Sequence, residues 1–352
     1  MGSNVKNLNL ESLVRENVKS MRPYSSARDE FNELNSEDMI FLDANENPFE
    51  NGINRYPDPL QNQVKQKLTE IHKISQEQML LGNGSDEVLD LIFRAFCEPN
   101  NDNIITLPPT YGMYQVLAEV NAIEVKEVLL NNNFQPDVDT ILNAVNANTK
   151  LLFLCSPNNP TGNSFSEEAV LTLLDKFKGL IVIDEAYIDF SKQQSWLKRL
   201  EEFPNLIITQ TLSKAYGMAG IRLGICYASK EIISILNRIK PPYNVNQLTQ
   251  QKAISRLSDL KQIRHQIADI LVERERLSDA LKDISCVKTI YPSDANFILI
   301  KVDDATKRYN QLLEQNIVIR NRSKQHLCDN CLRLTIGTPI ENKKLIEAFK
   351  SL

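Results

Sequence analysis

Lys214 stands among the small residues Ser213, Ala215, Gly217, Ala219 and Gly220, just after the apolar run Leu206-Ile207-Ile208-Thr209. Small side chains leave room for a bulky group to approach the backbone. Thr211 and Ser213 offer hydroxyls, and Arg222 follows eight residues after the lysine. A lysine in such company suits a Schiff base to an aldehyde cofactor that carries a phosphate. Alone, the stretch reads equally well as an ordinary strand and loop with a surface lysine, because short motifs often match by chance.

Other stretches add weight. Leu180-Ile181-Val182-Ile183 ends in Asp184, with Tyr187 three residues on. A buried carboxylate needs a partner, and the N–H of a protonated pyridine ring would be one, keeping that ring an electron sink. A strand-end cap or a magnesium ligand are the alternatives for Asp184, but no GxxxxGK[ST] loop accompanies it. Tyr187 could reach the phenolic oxygen of such a ring. Asn159, in Ser156-Pro157-Asn158-Asn159-Pro160-Thr161-Gly162, could donate to the same oxygen, although Asn, Pro and Gly also make a plain turn. Gly82-Asn83-Gly84-Ser85-Asp86 opens a helix, where free N–H groups suit a phosphate or simply form a turn and cap. Tyr111 follows Pro108-Pro109-Thr110 and could stack on a ring or fill the core.

These residues need elements to hold them. Apolar strand candidates recur at 104–107, 123–130, 151–155, 180–183, 206–209 and 223–228, with helical spacing between several of them. That alternation predicts an α/β fold: a large domain with a mostly parallel sheet flanked by helices. Functional residues then gather beyond the carboxyl ends of the strands. Residues 8 to 20 and 60 to 72 read as helices, and Phe41-Leu42-Asp43 as a short strand. After Pro241-Pro242-Tyr243 the alternation stops. A long helix over 260–284, strands near 297–302 and 332–336, and helices near 304–315 and 341–350 predict a smaller α+β domain. The expected division is 1–48 packing with the small domain, 49–245 as the large domain and 246–352 as the small one.

Composition narrows the function classes. The 352 residues are 42% hydrophobic and 24% charged, with a net charge of −5. That balance gives no reason to expect nucleic acid or an anionic membrane as partner. No apolar run approaches the ~20 residues that span a bilayer, and the first residues lack a signal-peptide core, which places the protein in the cytoplasm. Six scattered cysteines read as reduced thiols. Cys328-Asp329-Asn330-Cys331 is a lone CxxC with no second pair at zinc spacing, so no metal is expected.

Taken in order, Asn-Pro-Thr-Gly at 159–162, Asp-x-x-Tyr at 184–187, Ser-Lys at 213–214, Arg222 and Leu332-Arg333-Leu334-Thr335-Ile336-Gly337-Thr338 resemble the fold-type I pyridoxal-phosphate aminotransferases. More narrowly, Arg22-Pro23-Tyr24, residues 42–48, Arg55-Tyr56-Pro57, residues 82–87 and residues 213–222 resemble the histidinol-phosphate aminotransferase family, across nearly the whole chain. The resemblance implies pyridoxal 5'-phosphate as cofactor. It implies transfer of an amino group between L-histidinol phosphate or imidazole acetol phosphate and 2-oxoglutarate or glutamate, in L-histidine biosynthesis. Lys214 would bond the cofactor and move the proton. Asp184 would pair with the ring nitrogen, Tyr187 and Asn159 with the phenolic oxygen, and Tyr111 would stack on the ring. Gly84, Ser85, Asp86, Thr211, Ser213 and Arg222 would hold the cofactor phosphate. Tyr56 would reach that phosphate from a second subunit, which implies a homodimer. Tyr24, Arg320, Arg333 and Asn159 would meet the substrate, with Arg322 as a competitor of Arg320. An aromatic amino acid aminotransferase and a lyase resembling threonine-phosphate decarboxylase are the alternatives.

Overall fold

A computed structural model describes residues 8–22 and 40–352. Seven strands form the main sheet: β1 (Met79–Asn83), β2 (Asn103–Thr106), β3 (Glu124–Glu127), β4 (Thr149–Cys155), β5 (Leu180–Asp184), β6 (Leu206–Thr211) and β7 (Leu223–Tyr227). Their order is β1-β7-β6-β5-β4-β2-β3. From β3 to β6 all neighbours pair in parallel, whereas β7 is antiparallel to both β6 and β1. Alternate residues supply two cores. Leu152, Leu154, Ile181, Ile183, Leu206 and Ile208 enter one; Leu151, Phe153, Leu180, Val182 and Ile207 enter the other. Burial on both faces is why these strands are continuous apolar runs.

Reversal of β7 puts its first residues on the edge where the parallel strands end. β1 is reversed again and ends on that edge too. β1 was not expected as a strand; Leu80-Leu81-Gly82 is too short to show a period of its own, and its pairing with β7 decides it.

A second sheet is antiparallel, in the order β10-β11-β9-β8, with β8 (Val287–Ile290), β9 (Phe297–Val302), β10 (Arg320–Asn321) and β11 (Cys331–Thr335). Ile298, Ile300, Leu332 and Leu334 pack with Leu277, Leu281, Leu312, Leu345 and Phe349, the last five from helices Leu260–Leu281, Ala305–Glu314 and Pro339–Lys350. Phe297, Leu299 and Cys331, which alternate with them, join the first core of the main sheet. Arg333 is in register with Leu299 on one side and Arg320 on the other. Cross-strand partners share a face, so this arginine looks toward the main sheet.

Two expectations at the beginning of the chain are corrected. Residues 8 to 20 are not one helix but a 3-10 turn, Leu10–Ser12, and a short helix, Glu16–Ser20. Leu13, Val14 and Val18 pack into the second core of the main sheet, and the Arg15 N–H donates to Ala95 O at 3.0 Å. This segment therefore packs with the large sheet and not with the small one. Phe41-Leu42-Asp43 forms no strand; Leu42 is 86% exposed and joins neither sheet of the described residues. Among the described residues no helix is long and apolar enough to cross a membrane.

Candidate active site

One cavity lies over the edge where the parallel strands end. Ser85, Asp86, Tyr111, Asn159, Asp184, Tyr187, Thr211, Ser213, Lys214 and Arg222 all line it, completed by Cys155 and Ala186. Each is the last residue of β4, β5 or β6 or lies in the connection that follows β1, β2, β4, β5 or β6, and Arg222 immediately precedes the reversed β7.

Asp184 is the last residue of β5 and is 3% exposed. Tyr114 donates its hydroxyl to Asp184 Oδ2 at 2.8 Å, and the Ala186 N–H donates to Oδ1 at 3.1 Å. Burial pushes the carboxyl pKa up, while these donors pull it down. Neither donor is a cation, so the cavity offers a place where positive charge is favoured. The loops bearing Tyr111 and Asn159 are tied together by Asn158, whose Nδ2 donates to Pro109 O at 2.8 Å and whose Oδ1 accepts from Thr110 Oγ1 at 3.1 Å. Tyr111 in turn donates to Asp86 Oδ1 at 3.1 Å.

Asp86 sits at the start of helix Gly84–Phe96. Gly84 has φ +75°, and its N–H donates to Arg222 O at 2.9 Å. Gly224 lies directly beneath: a Cβ there would stand 2.3 Å from the Ser85 nitrogen. Arg222 Nη2 is 3.4 Å from Asp86 Oδ2, and Thr211 Oγ1 donates to Ser213 Oγ at 3.0 Å. Helix N–H groups, two hydroxyls and a guanidinium thus converge on one end of the cavity, the chemistry of an oxyanion site.

Lys214 Nζ stands 5.6 Å from the centre of the Tyr187 ring. Burial lowers its pKa, and the cations of Arg333 and Arg222 add to that, against Asp184 and Asp86. Tyr187 packs edge-on to Phe297 at 5.1 Å. Arg333 from β11 lies over the same Phe297 ring at 5.1 Å and donates through Nη1 to Asn159 Oδ1. Burial brings its pKa down to about 10, with Arg322 and Arg320 also lowering it. The Nε atoms of Arg333 and Arg322 are buried and have no hydrogen-bond partner among the described residues. Arg320 is exposed. The charge of Arg322 is felt at Tyr187 along with that of Arg333, and Arg320 stands across from Arg333 on the face the two share and is felt there.

The sequence model of the family "Aminotransferase class I and II" matches residues 38–349. The chain belongs to the class I and II aminotransferases. It is similar to a histidinol-phosphate aminotransferase of Flavobacterium johnsoniae, 65% identical over 343 residues that cover 97% of this chain and 98% of the relative. Among solved structures it is similar to the histidinol-phosphate aminotransferase from Clostridium acetobutylicum, with TM-score 0.79 and 27% identity over 85% of this chain and 90% of that one. The histidinol-phosphate aminotransferase from Sinorhizobium meliloti, solved in complex with pyridoxal-5'-phosphate, shares the fold at TM-score 0.77 and 24% identity, over 84% and 82% of the two chains.

Tyr56 is expected to reach the site of a second subunit and not the cavity of its own chain. Tyr56 is half-exposed and stacks on Tyr243 with centroids 4.5 Å apart; it lines a surface recess with Asn45, Glu46, Ile53 and Leu248. Tyr24 lies outside the described residues. Four residues that matter to the site were not expected from the sequence: Tyr114, Asn158, Cys155 and Gly224. Tyr114 had a signal, since a second tyrosine stands three residues after Tyr111 and a buried hydroxyl needs a partner. Gly224 had none, because the backbone it touches is more than a hundred residues away in sequence.

Proposed function

We propose that this aminotransferase uses pyridoxal 5'-phosphate and exchanges the amino group between L-histidinol phosphate and 2-oxoglutarate, giving imidazole acetol phosphate and glutamate in L-histidine biosynthesis. One observation carries the choice of substrate class. Arg333 and Arg322 keep buried Nε–H groups without acceptors among the described residues, beside Tyr187 and Lys214. Two cations held that way call for an anion, and guanidinium forks suit phosphate and carboxylate alike. Histidinol phosphate brings a phosphate and 2-oxoglutarate a carboxylate, so one arginine pair would serve both half-reactions.

The residues present fit the cofactor. The buried Asp184 carboxylate without a cation matches a protonated ring nitrogen, and the Gly84–Asp86 backbone with Thr211, Ser213 and Arg222 matches a phosphate. Tyr111 would cover the ring face. Tyr187 Oη and Asn159 Nδ2 would donate to the phenolic oxygen; the bond from Arg333 to Asn159 Oδ1 leaves the amide N–H groups for that task. Bound there, the cofactor supplies an electron sink for charge developing at the substrate carbon beside the nitrogen. Lys214 would bond the cofactor aldehyde. As a free amine, its Nζ would take the proton from that carbon and hold it for return to the substrate or cofactor. A lowered pKa keeps more of the amine neutral and able to do so. Phe297 and the Arg322–Arg333 pair would shield the substrate from water at the side facing the small sheet.

The same roles extend to assembly. Tyr56 would contact the cofactor phosphate of a second copy in a homodimer; Leu42, Phe49, Ile53 and Leu248, at 86, 80, 58 and 61% exposure, are apolar side chains that such an interface would cover. The division into domains expected from the sequence, a large one over 49–245 and a small one over 246–352, goes with this assignment of roles. A cytoplasmic location agrees with six free, buried cysteines.

The deciding experiment is one half-reaction. The aldehyde form of the cofactor on the protein is mixed with histidinol phosphate and no keto acid, and the absorbance is followed. Conversion to the amine form, reversed by 2-oxoglutarate, is the expected result. Conversion only with phenylalanine or tyrosine would move the assignment to aromatic substrates, and carbon dioxide release from threonine phosphate would make the protein a lyase.

A further inference from the structure

We propose that Tyr114 is a positioning residue for the reaction: its hydroxyl holds the Asp184 carboxylate ionised and aimed at the place of the cationic ring nitrogen. The inference rests on the assignment of Asp184 to that nitrogen.

Tyr114 lies on helix Met113–Val120 and is fully buried. Its ring is fixed on two sides, stacked on Phe153 at 4.8 Å and 21° and set edge-on to Tyr111 at 5.5 Å and 87°. A ring so held has one direction in which to aim its hydroxyl, and the bond to Asp184 Oδ2 at 2.8 Å takes it. The Ala186 N–H donates to Oδ1, the Thr209 side chain also favours the ionised form, and Asp184 lines the cavity.

The protonation state is the crux. Burial favours the neutral acid at Asp184, and a neutral acid cannot neutralise a ring cation. A donor that never competes for the proton corrects this. Burial raises the phenol's own pKa well above its ordinary value, so Tyr114 remains a donor throughout the working range of pH. The other titratable groups felt at or facing this pair are Cys155 from β4, Asp86 from helix Gly84–Phe96, Tyr111, Tyr187 and Lys214. Of these, Lys214 alone is a cation, and it stands over Tyr187 at 5.6 Å. Arg222, the other cation that lines the cavity, is paired with Asp86; among the described residues no ion pair reaches Asp184, and the hydrogen bond from Tyr114 carries that task.

The test compares Tyr114→Phe, Asp184→Asn and the double variant. Tyr114→Phe keeps the ring and both its aromatic contacts and removes only the hydroxyl. In the cofactor-free protein, the carboxylic C=O band is followed by difference infrared spectroscopy against pH and assigned to Asp184 by its loss in Asp184→Asn. One hydrogen bond to a charged group moves such an equilibrium by roughly tenfold or more, so the midpoint is expected to rise by about one unit in Tyr114→Phe. Equilibrium dialysis is expected to show pyridoxal phosphate bound about tenfold more weakly by Tyr114→Phe than by the wild type. On the Asp184→Asn background the same change is expected to cost less than about twofold, because its target is gone. An unmoved midpoint, or equal losses on both backgrounds, would make Tyr114 a packing residue and overturn the proposal. If Asp184→Asn itself bound the cofactor as tightly as the wild type, the reading of Asp184 would fail, a different outcome from failure of Tyr114 alone. Should Tyr114→Phe not fold, the wild type still decides: with ring-labelled tyrosine, the phenol C–O band must shift as Asp184 titrates, and an indifferent band overturns the proposal.

Discussion

Replacing Gly224 with alanine disturbs the floor of the site without altering any group that bears chemistry. The new Cβ would stand 2.3 Å from the Gly84 carbonyl carbon and from the Ser85 nitrogen, and 2.6 Å from Gly84 O, where ordinary contact begins near 3.4 Å. Something must move by about 1 Å, the difference between the two distances. It is not β7, which is held between β6 and β1. The start of helix Gly84–Phe96 must yield, against the bond from the Gly84 N–H to Arg222 O and against Val88, Leu89, Ile92 and Phe93 packed behind it. Overpacking of this kind costs roughly 1–3 kcal/mol. At about 2 cal/mol/K per residue of unfolding entropy, that lowers the Tm of the cofactor-free protein by roughly 1–4 °C. The retreat also carries the Ser85 and Asp86 N–H groups away from a bound phosphate. Each hydrogen bond to a charged group is worth about 1.5–3 kcal/mol, so losing one weakens pyridoxal phosphate by at least about tenfold. Thermal unfolding and equilibrium dialysis measure the two effects separately. Unchanged Tm and affinity would refute the close approach of the two backbones; a lower Tm with unchanged affinity would refute the role given to those N–H groups.

Three further outcomes are expected. Glu185 is buried, and burial pushes its pKa from 4.5 up to about 7, against donors from Ser195, Trp196 and Gln210. The folded chain therefore keeps this proton to higher pH than the unfolded one. Its contribution is full below about pH 4.5 and is lost as pH rises to about 7, up to roughly 3 kcal/mol. Urea unfolding of Glu185→Gln between these limits is expected to show a flatter dependence on pH than the wild type, and equal slopes would dismiss Glu185 as the source. Arg322→Ala is expected to raise KM for histidinol phosphate about tenfold or more, from the loss of charge-assisted bonds, while Arg320→Ala changes it less than about threefold; the reverse order in steady-state kinetics would give the role to Arg320 instead. Lys214→Ala is expected to lose the absorbance band of the covalently held aldehyde and to reduce turnover more than about a thousandfold, since both tasks depend on one amine; turnover near that of the wild type would end the assignment of Lys214.

The sequence showed most of the main sheet because strands buried on both faces cannot disguise themselves: Leu180-Ile181-Val182-Ile183 and Leu151-Leu152-Phe153-Leu154 have one reading. It showed the cavity because residues beyond the ends of parallel strands must converge, and ten of the expected residues do line it. What it hid depends on distant partners. β1 takes its identity from β7, and Gly224 its meaning from Gly84. Arg320 and Arg322 stand two residues apart along a short strand and the turn after it, so spacing does not separate their roles; the pairing of Arg320 with Arg333 and the buried Nε of Arg322 come only from the fold. The apparent helix over 8 to 20 failed because Leu13, Val14 and Val18 reach into the second core of the main sheet from a turn and a short helix, not from an unbroken helix of their own.

The cavity draws its lining from five connections between Ser85 and Arg222, and no stretch of the unfolded chain holds those residues near one another. A ligand that touches them all binds the native chain alone, so its free concentration enters the protein's own stability by mass action. At a hundred times its Kd it adds about 2.7 kcal/mol to the free energy of unfolding. The supply of cofactor in the cell would then govern how long each copy of the chain survives proteolysis as well as how many copies are active. A shortage of the vitamin would shrink the population of the enzyme and its occupancy together.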